Sequence, residues 1–473
     1  MTDVADAPAD LRQRWWTLPV VSAAQLLVVL DGTIVNIALP SAQADLGMSD
    51  ASRQWAITAY ALAFGGLLLI GGRISSAFGH RRTFALGMAG FAASSALGGL
   101  AVNPEMLFGA RALQGAFAAL LAPAGLALLT TTFTDAKERG KAFGVFAAVG
   151  AAGSAVGLVA GGLLTEYTSW RWCLYINVPI AVLALLGTAK VPGRPGAGGR
   201  LDAGGALLST AGFVAIVYAF NEAEPRGWAS PLVLSLLAGG LLLLVAFTVL
   251  ESRVSQPLLP LRVLLHRGRG GAFIAITLLF VAMFGFYLFM SYYTQTVLGY
   301  SPVEAGLTLI INALAALIGA TVIAGRLQGR VPPAVVILSG LGAAAAGLLI
   351  LTRLTATSTD ILPLYLAPAL VLTGLGLGLV LPATAALATT AVSWQDIGAA
   401  SATYNASQQL GAALGTALLN TIASSTTAAY LLRDGDPAAA TVHGYTIALT
   451  VAFGILLAAA VIAVPLIHRK DPA

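Results

Sequence analysis

The 473-residue chain is 58% hydrophobic and only 10% charged, with a mean hydropathy of +0.86. A soluble domain is about a quarter charged, so this composition describes a membrane protein. The net charge of +5 follows the distribution of loops set out below, and it is not read as affinity for nucleic acid.

Fourteen apolar stretches alternate with short polar links: 17–39, 54–72, 83–102, 104–132, 141–165, 172–189, 203–221, 230–250, 271–298, 305–325, 334–352, 361–387, 397–424 and 443–467. A span needs about 20 mainly apolar residues, and each stretch is close to that length. An even number of spans puts both termini on one side. With the termini in the cytoplasm, 19 of the 25 Lys and Arg residues fall on the inner side and 5 on the outer side, with Arg111 inside a span. Inner loops of membrane proteins carry the excess of Lys and Arg, so a multi-pass protein of the cytoplasmic membrane is expected. The first span follows only Arg12 and Arg14 and lacks a convincing small-residue cleavage site, so it reads as a retained helix rather than a signal peptide.

The spans divide as six, two and six. Residues 1–189 read as an N-terminal six-helix bundle and 270–473 as a C-terminal one. Residues 190–269 form a linker that carries two extra spans. Loop chemistry repeats between the bundles. Gly71-Gly72-Arg73-Ile74, then Gly79-His80-Arg81-Arg82, follows the second span, and Gly325-Arg326-Leu327, then Gly329-Arg330, follows the tenth. Two matched bundles suit a rocking transporter with its site between them at mid-membrane. Equally, Gly-Arg could simply end a span on the cytoplasmic side.

Only Asp31 and Arg111 are charged well inside a span. Burying charge there costs at least about 2.5–3.5 kcal/mol, so such residues face a cavity or each other. Asp31 lies fourteen residues from Thr17, about 21 Å along at 1.5 Å per residue, which leaves about 9 Å to the outer face of a core about 30 Å thick. Arg111 lies six residues from Glu105, again about 9 Å deep. The two share a level, and Gln114 shares the face of Arg111. They are expected to form a polar centre in the outer half of a cavity. The alternative is a fixed ion pair that only orients two helices. Asp31 can bind a proton or attract a cation. Arg111 does not release its proton and would bias Asp31 or hold an anionic group.

In the fifth span Gly153, Gly157, Gly161 and Gly162 allow close backbone approach. In the thirteenth, Asn405 and Gln408 share a face near mid-membrane, suited to hydrogen-bonding a ligand or a neighbouring helix. Gly411 and Gly415 there form a small-residue pair for close packing. Other chemistry is missing. No G-x-x-x-x-G-K-[ST] loop is present, so no nucleotide-driven engine, and the four histidines are not clustered for a metal. The single cysteine, Cys173, excludes an internal disulfide. No cofactor is expected.

At these residues the chain resembles the 14-spanner drug:proton antiporter branch of the major facilitator superfamily, over its full length. Leu30-Asp31-Gly32-Thr33-Ile34-Val35-Asn36-Ile37-Ala38-Leu39-Pro40 is similar to the first-helix signature, whose aspartate is implicated in proton coupling. Gly72, Arg73, Gly79, Arg81 and Arg82 sit where the conformational motif of loop 2–3 belongs. Arg111-Ala112-Leu113-Gln114-Gly115 resembles the fourth-helix motif, whose arginine is linked to proton transfer. Gly153 to Gly162 resembles the antiporter motif, and Trp170-Arg171-Trp172 with Ile176-Asn177-Val178-Pro179 a further signature. Three departures stand out: Ser76 and Ala77 replace an acidic–basic pair, Leu158 replaces a proline, and the thirteenth span has no mid-span acid.

The resemblance implies an all-α membrane protein with the major facilitator fold, two six-helix bundles and two inserted helices. It implies proton-coupled export of small amphipathic molecules, with Asp31 and Arg111 in proton coupling. Asp31, Gln114, Asn405 and Gln408 would line the substrate cavity. The expected partners are a small-molecule substrate, protons and the lipid bilayer, with the chain acting as a monomer. Export of an endogenous metabolite, proton-coupled solute symport, or a non-transporting sensor or scaffold are the alternatives.

Overall fold

The computed structural model describes residues 14–48, 52, 55–196, 198, 202–254, 256–327, 330–354, 361–390, 392–434 and 436–468. Among them there is no strand, and the chain is a succession of helices. The long ones are α1 (Thr17–Leu46), α2 (Trp55–Phe78), α3 (His80–Gly99), α4 (Pro104–Thr132), α5 (Ala136–Tyr167), α6 (Asn177–Gly187) and α7 (Ala203–Arg226). They continue with α8 (Pro231–Glu251), α9 (Arg267–Tyr292), α10 (Pro302–Ile318), α11 (Pro333–Leu351), α12 (Ala367–Thr389), α13 (Ile397–Asp434) and α14 (Pro437–His468).

Their starts are written locally. The Asn103 side chain accepts from Met106 N at 2.9 Å, with Pro104 in the first turn of α4. Proline is favoured there because its missing N–H would be unpaired anyway. Asp135 and Asp202 cap α5 and α7, and Ser301 with Glu304 forms a reciprocal capping box on α10. Eleven helices among the described residues are long and apolar enough to cross a membrane. The others at these positions, α3, α5 and α13, have 20, 32 and 38 residues. They are long enough at 1.5 Å per residue, but Gly, Ser, Thr and Gln dilute their apolarity.

Without a hydrophobic drive inside lipid, helices associate through close packing and polar contacts. Glycines supply the closest approaches. A Cβ on Gly115 of α4 would lie 2.4 Å from Tyr60 O of α2, and Cβ atoms on Gly411 and Gly415 of α13 would lie 2.4 and 2.2 Å from Thr277 O and Val281 O of α9.

Helices from the first part of the chain meet those from the last at the face that carries the start of α1 and the end of α14. There α2 crosses α13 so tightly that a Cβ on Gly398 would lie 2.2 Å from Gly72 O. On the other flank Gly144 of α5 faces Ala320 O at 2.5 Å from a built Cβ, beside a buried cluster of Ala147, Ala148 and Ala320. Ala320 belongs to a π-helical segment, Gly319–Ala324, that continues α10. The His80 ring packs 5.1 Å from Trp394, and the Arg194 guanidinium lies 5.1 Å over the same indole.

The α7–α8 hairpin lies along the α2–α13 seam. Phe213 fits against Gly65, Thr210 Oγ1 donates to Gly66 O at 2.8 Å, and Trp228 Nε1 donates to Thr421 Oγ1 of α13 at 3.1 Å. Its other surface is exposed leucine and valine, including Leu207, Leu234, Leu241, Leu242, Val245 and Val249. After α8, Arg262 pairs with Asp396 at 2.8 and 3.2 Å, contacts that raise the guanidinium above its ordinary value.

Candidate functional site

Five helices build one buried polar centre around a carboxylate. Asp31 of α1 is 0% exposed and Arg111 of α4 is 2% exposed. Arg111 Nη1 donates to Asp31 Oδ2 at 2.6 Å, and the same nitrogen donates to Gln114 Oε1. Gln114 sits three residues on, one turn along the same face, and its Nε2 donates to Asp31 Oδ1 at 2.8 Å. Arg111 Nε donates to Ala56 O at 3.1 Å, and the guanidinium lies 4.4 Å over the Tyr60 ring of α2. A buried ion pair offsets its desolvation only when the remaining donors and acceptors are also satisfied, and here the arginine has three acceptors and an aromatic face.

Sequence reasoning missed the rest of the shell. Asn177 of α6, buried at 0%, donates through Nδ2 to Asp31 Oδ1 at 3.0 Å and to Ser95 Oγ of α3 at 3.0 Å. Ser95 also accepts from Gln114 Nε2 at 3.2 Å and donates to Leu174 O at 2.8 Å. Asn177 is held by the segment before it. Trp170 Nε1 donates to Asp45 Oδ2 at 3.0 Å, Arg171 pairs with the same carboxylate, and Arg171 Nη2 donates to Ala101 O at 2.9 Å. The tryptophan–arginine signature thus clamps the entry to α6 onto the ends of α1 and α3, and the next turn carries Asn177 inward. Asp31 therefore accepts from three side chains on two other helices. The expected partnership of Asp31, Arg111 and Gln114 is present, but the centre is enclosed by protein instead of lining an open cavity.

The amides of α13 form a separate group. Asn405 Nδ2 donates to Ser401 O of its own helix at 2.8 Å, and Asn405 and Gln408 are half-buried. Tyr404 beside them donates to Leu381 O at 3.1 Å and meets Thr384 Oγ1 at 3.0 Å on α12. Among the described residues no hydrogen bond joins this group to Asp31.

The glycines of α5 face α1. A Cβ on Gly153 would lie 3.2 Å from Leu26 Cδ1, on Gly157 2.0 Å from Thr33 Oγ1, and on Gly161 3.0 Å from Ile34 Cγ1. Gly162 is half-buried beside them. This stripe lays α5 along α1 on both sides of Asp31 in the sequence, from Leu26 to Ile37. The side chain of Leu158 lies outside the described residues.

The end of α2, the junction at Gly79 and the start of α3 serve the face where the two groups of helices close. Gly72 meets Gly398, and Arg73 Nη2 reaches Gln256 Oε1 at 3.4 Å. Gly79 adopts φ of 97°, a conformation that favours glycine, with the backbone of Arg194 2.9 Å from where its Cβ would be. His80 Nδ1 pairs with Ser75 Oγ at 2.7 Å, Arg81 packs against Gly193, and Arg82 is exposed. The acidic–basic pair missing from this loop is thus replaced by glycine contact and ring packing on Trp394. In the second copy of the loop motif, Gly329 lies outside the described residues.

The chain matches the family model of the Major Facilitator Superfamily over residues 21–416 and belongs to that family. It is 55% identical over 467 residues to the puromycin resistance protein pur8 of Streptomyces alboniger, covering 98% of this chain and 93% of that protein. It is 38% identical to the cephamycin export protein CmcT of Amycolatopsis lactamdurans, covering 96% and 93%. With the lincomycin resistance protein of Streptomyces lincolnensis it shares 34%, covering 98% and 93%. In fold it is similar to the human organic anion transporter MFSD10, with a TM-score of 0.64 at 15% identity, covering 94% of this chain and 99% of that one.

Proposed function

We propose that this member of the major facilitator superfamily exports small amphipathic antibiotics across the cytoplasmic membrane in exchange for protons, and that Asp31 carries the proton. The observation that carries the reading is the enclosed Asp31–Arg111 pair, charges inside a span with no access to solvent in this conformation. An intramembrane ionisable group in a transporter marks an ion or proton path. A carboxylate whose proton affinity differs between two conformations couples proton flow to substrate movement. Relatives named for antibiotic resistance and export support the outward direction.

In this reading fourteen spans leave both termini in the cytoplasm. Residues 1–189 and 270–473 form two bundles that rock about a mid-membrane site, and 190–269 adds the α7–α8 hairpin at the α2–α13 seam. Asn405 and Gln408 face the substrate from α13, and the Asp31–Gln114 centre, enclosed in this conformation, opens towards it from the first bundle in another. Gly72, Arg73, Gly79, Arg81 and Arg82 govern closure on the cytoplasmic side, while the α5 glycines let α5 slide on α1. One net charge moved per cycle yields about 2.3 kcal/mol per 100 mV, enough for useful concentration. Puromycin is the first substrate to test, given the relative at 55% identity.

The test is purified protein in proteoliposomes with an imposed pH gradient. Puromycin movement should accompany proton flux in the opposite direction. Puromycin movement with no proton flux would reject antiport, and no transport of any antibiotic tried would reject export.

A further inference from the structure

The three side chains bonded to the Asp31 carboxylate are all hydrogen-bond donors. Oδ2 accepts from Arg111, and Oδ1 accepts from Gln114 and Asn177. All of these contacts suit the ionised acid. A protonated acid keeps acceptor positions for all three bonds but gains an O–H to donate, and a buried O–H needs an acceptor that one of these side chains must supply. Arg111 is acceptor-free, whatever its rotamer. The Gln114 carbonyl is taken by Arg111. Asn177 differs. Its Oδ1 is fully buried and has no hydrogen-bond partner. A buried carbonyl without a donor is costly, and this one belongs to the same planar amide whose nitrogen touches Asp31.

We propose that Asn177 is the positioning residue for proton loading: its amide donates to Asp31 while the acid is ionised, and it turns over to present Oδ1 to the acid's O–H once the proton has arrived. The inference rests on the reading of Asp31 as the proton carrier. The turn needs no movement of a helix, only rotation about the last side-chain bond, a broad torsion in asparagine. Ser95 suits both settings, because a hydroxyl is donor and acceptor alike. The proton moves onto an Asp31 oxygen, and the O–H···Oδ1 bond replaces N–H···O; no bond other than the acid's O–H forms or breaks.

Few other groups could set the response to pH here. Among the described residues Arg111 of α4 is the charged side chain in contact with Asp31, and Tyr60 of α2, beneath the guanidinium, is the titratable one beside it. From α3 and α6 come the neutral Ser95 and Asn177. Helix α5 turns Gly153, Gly157 and Gly161 towards α1 and carries Lys137, Glu138, Arg139, Lys141 and Glu166 near its ends. Cys173, before α6, faces Thr165 and Gly161.

The experiment compares Asn177→Leu, Asn177→Asp and Asn177→Gln in proteoliposomes, measuring proton-driven puromycin transport across pH and puromycin exchange without a gradient. Asn177→Leu removes donor and acceptor together. Its driven transport should fall about tenfold or more at every pH, a larger factor than any fall in exchange. Asn177→Asp keeps acceptors but loses the donor and adds like charge, so driven transport should persist with its pH midpoint raised by about one unit or more. Asn177→Gln, which keeps the amide, should restore the driven rate. A parallel fall of driven transport and exchange in Asn177→Leu would show a packing role and overturn the inference. So would an unmoved midpoint in Asn177→Asp. Asp31→Asn is run alongside: if it keeps driven transport, the proton-carrier reading itself has failed. If it loses driven transport and the Asn177 variants behave as the parent, only the role of Asn177 has failed.

Discussion

Arg111 Nη1 stands 2.6 Å from Asp31 Oδ2, joining helices whose contact residues are eighty positions apart, with neither side chain more than 2% exposed. Replacing a buried pair as a unit can be nearly neutral, but removing one partner leaves a bare charge and costs about 3–5 kcal/mol. The pair is therefore held together by what each partner would face alone.

Asp31→Asn should reduce proton-driven transport to the level of empty liposomes while substrate exchange without a gradient continues. The amide keeps the shape of the acid and can still accept from Arg111, but it leaves the buried guanidinium without a counter-charge, so the melting temperature should fall while the fold persists. Size-exclusion profile and exchange rate check the fold; full driven transport in this variant would sink the assignment of Asp31.

Arg111→Ala should be the less stable variant, by about 3–5 kcal/mol, because Asp31 keeps its charge without a cation. Proton binding at the acid is then favoured, which moves the pH profile of transport to higher pH. Arg111→Lys should recover only part of this, since one ammonium cannot serve Ala56 O, Gln114 and Asp31 with a fixed fork. An unchanged melting temperature together with an unchanged pH profile would refute the pairing.

Gly398→Val should open the face at which α2 and α13 meet. The added carbons fall on Gly72 O, which as backbone cannot step aside. Starting from a largely closed population, alkylation of a cysteine placed at Ser76 should accelerate by about tenfold or more. An unchanged rate would mean that the closure does not depend on this crossing.

The inserted hairpin should stay outside the substrate path. Cysteines along 203–221, such as Leu207→Cys, should react equally with and without substrate, whereas Asn405→Cys should be protected. Protection along one face of 203–221 would make the hairpin part of the site.

The centre was half legible in the sequence. Asp31 and Arg111 stand out because charge is rare inside a span, and helical rise alone puts them at one level. Asn177, Ser95 and Tyr60 do not stand out, because a neutral polar residue in a span is commonly satisfied by its own helix, as Thr33, Asn36 and Asn405 are here. The same arithmetic would have found Asn177, five residues into the segment that starts at Trp172 and so about 8 Å deep. Whether the centre is enclosed or open depends on how each helix is rotated, and apolar helices of this kind carry little periodicity to fix that. The family resemblance singled out the junction of α2 and α3 and its missing acidic–basic pair. Its replacement by glycine contact and the His80–Trp394 packing required knowing what lies opposite, 314 positions later in the chain.

The lone thiol has a practical meaning. Cys173 is completely buried, with Sγ 3.5 Å from Thr165 Oγ1 and 3.8 Å from Gly161 O, so it belongs to the joint between α5 and the entry to α6. Cysteines introduced elsewhere can thus be read in the unaltered chain, against a silent background. Should maleimide begin to consume Cys173 during turnover, the native protein is reporting, unmodified, that this joint parts within one turn of Asn177.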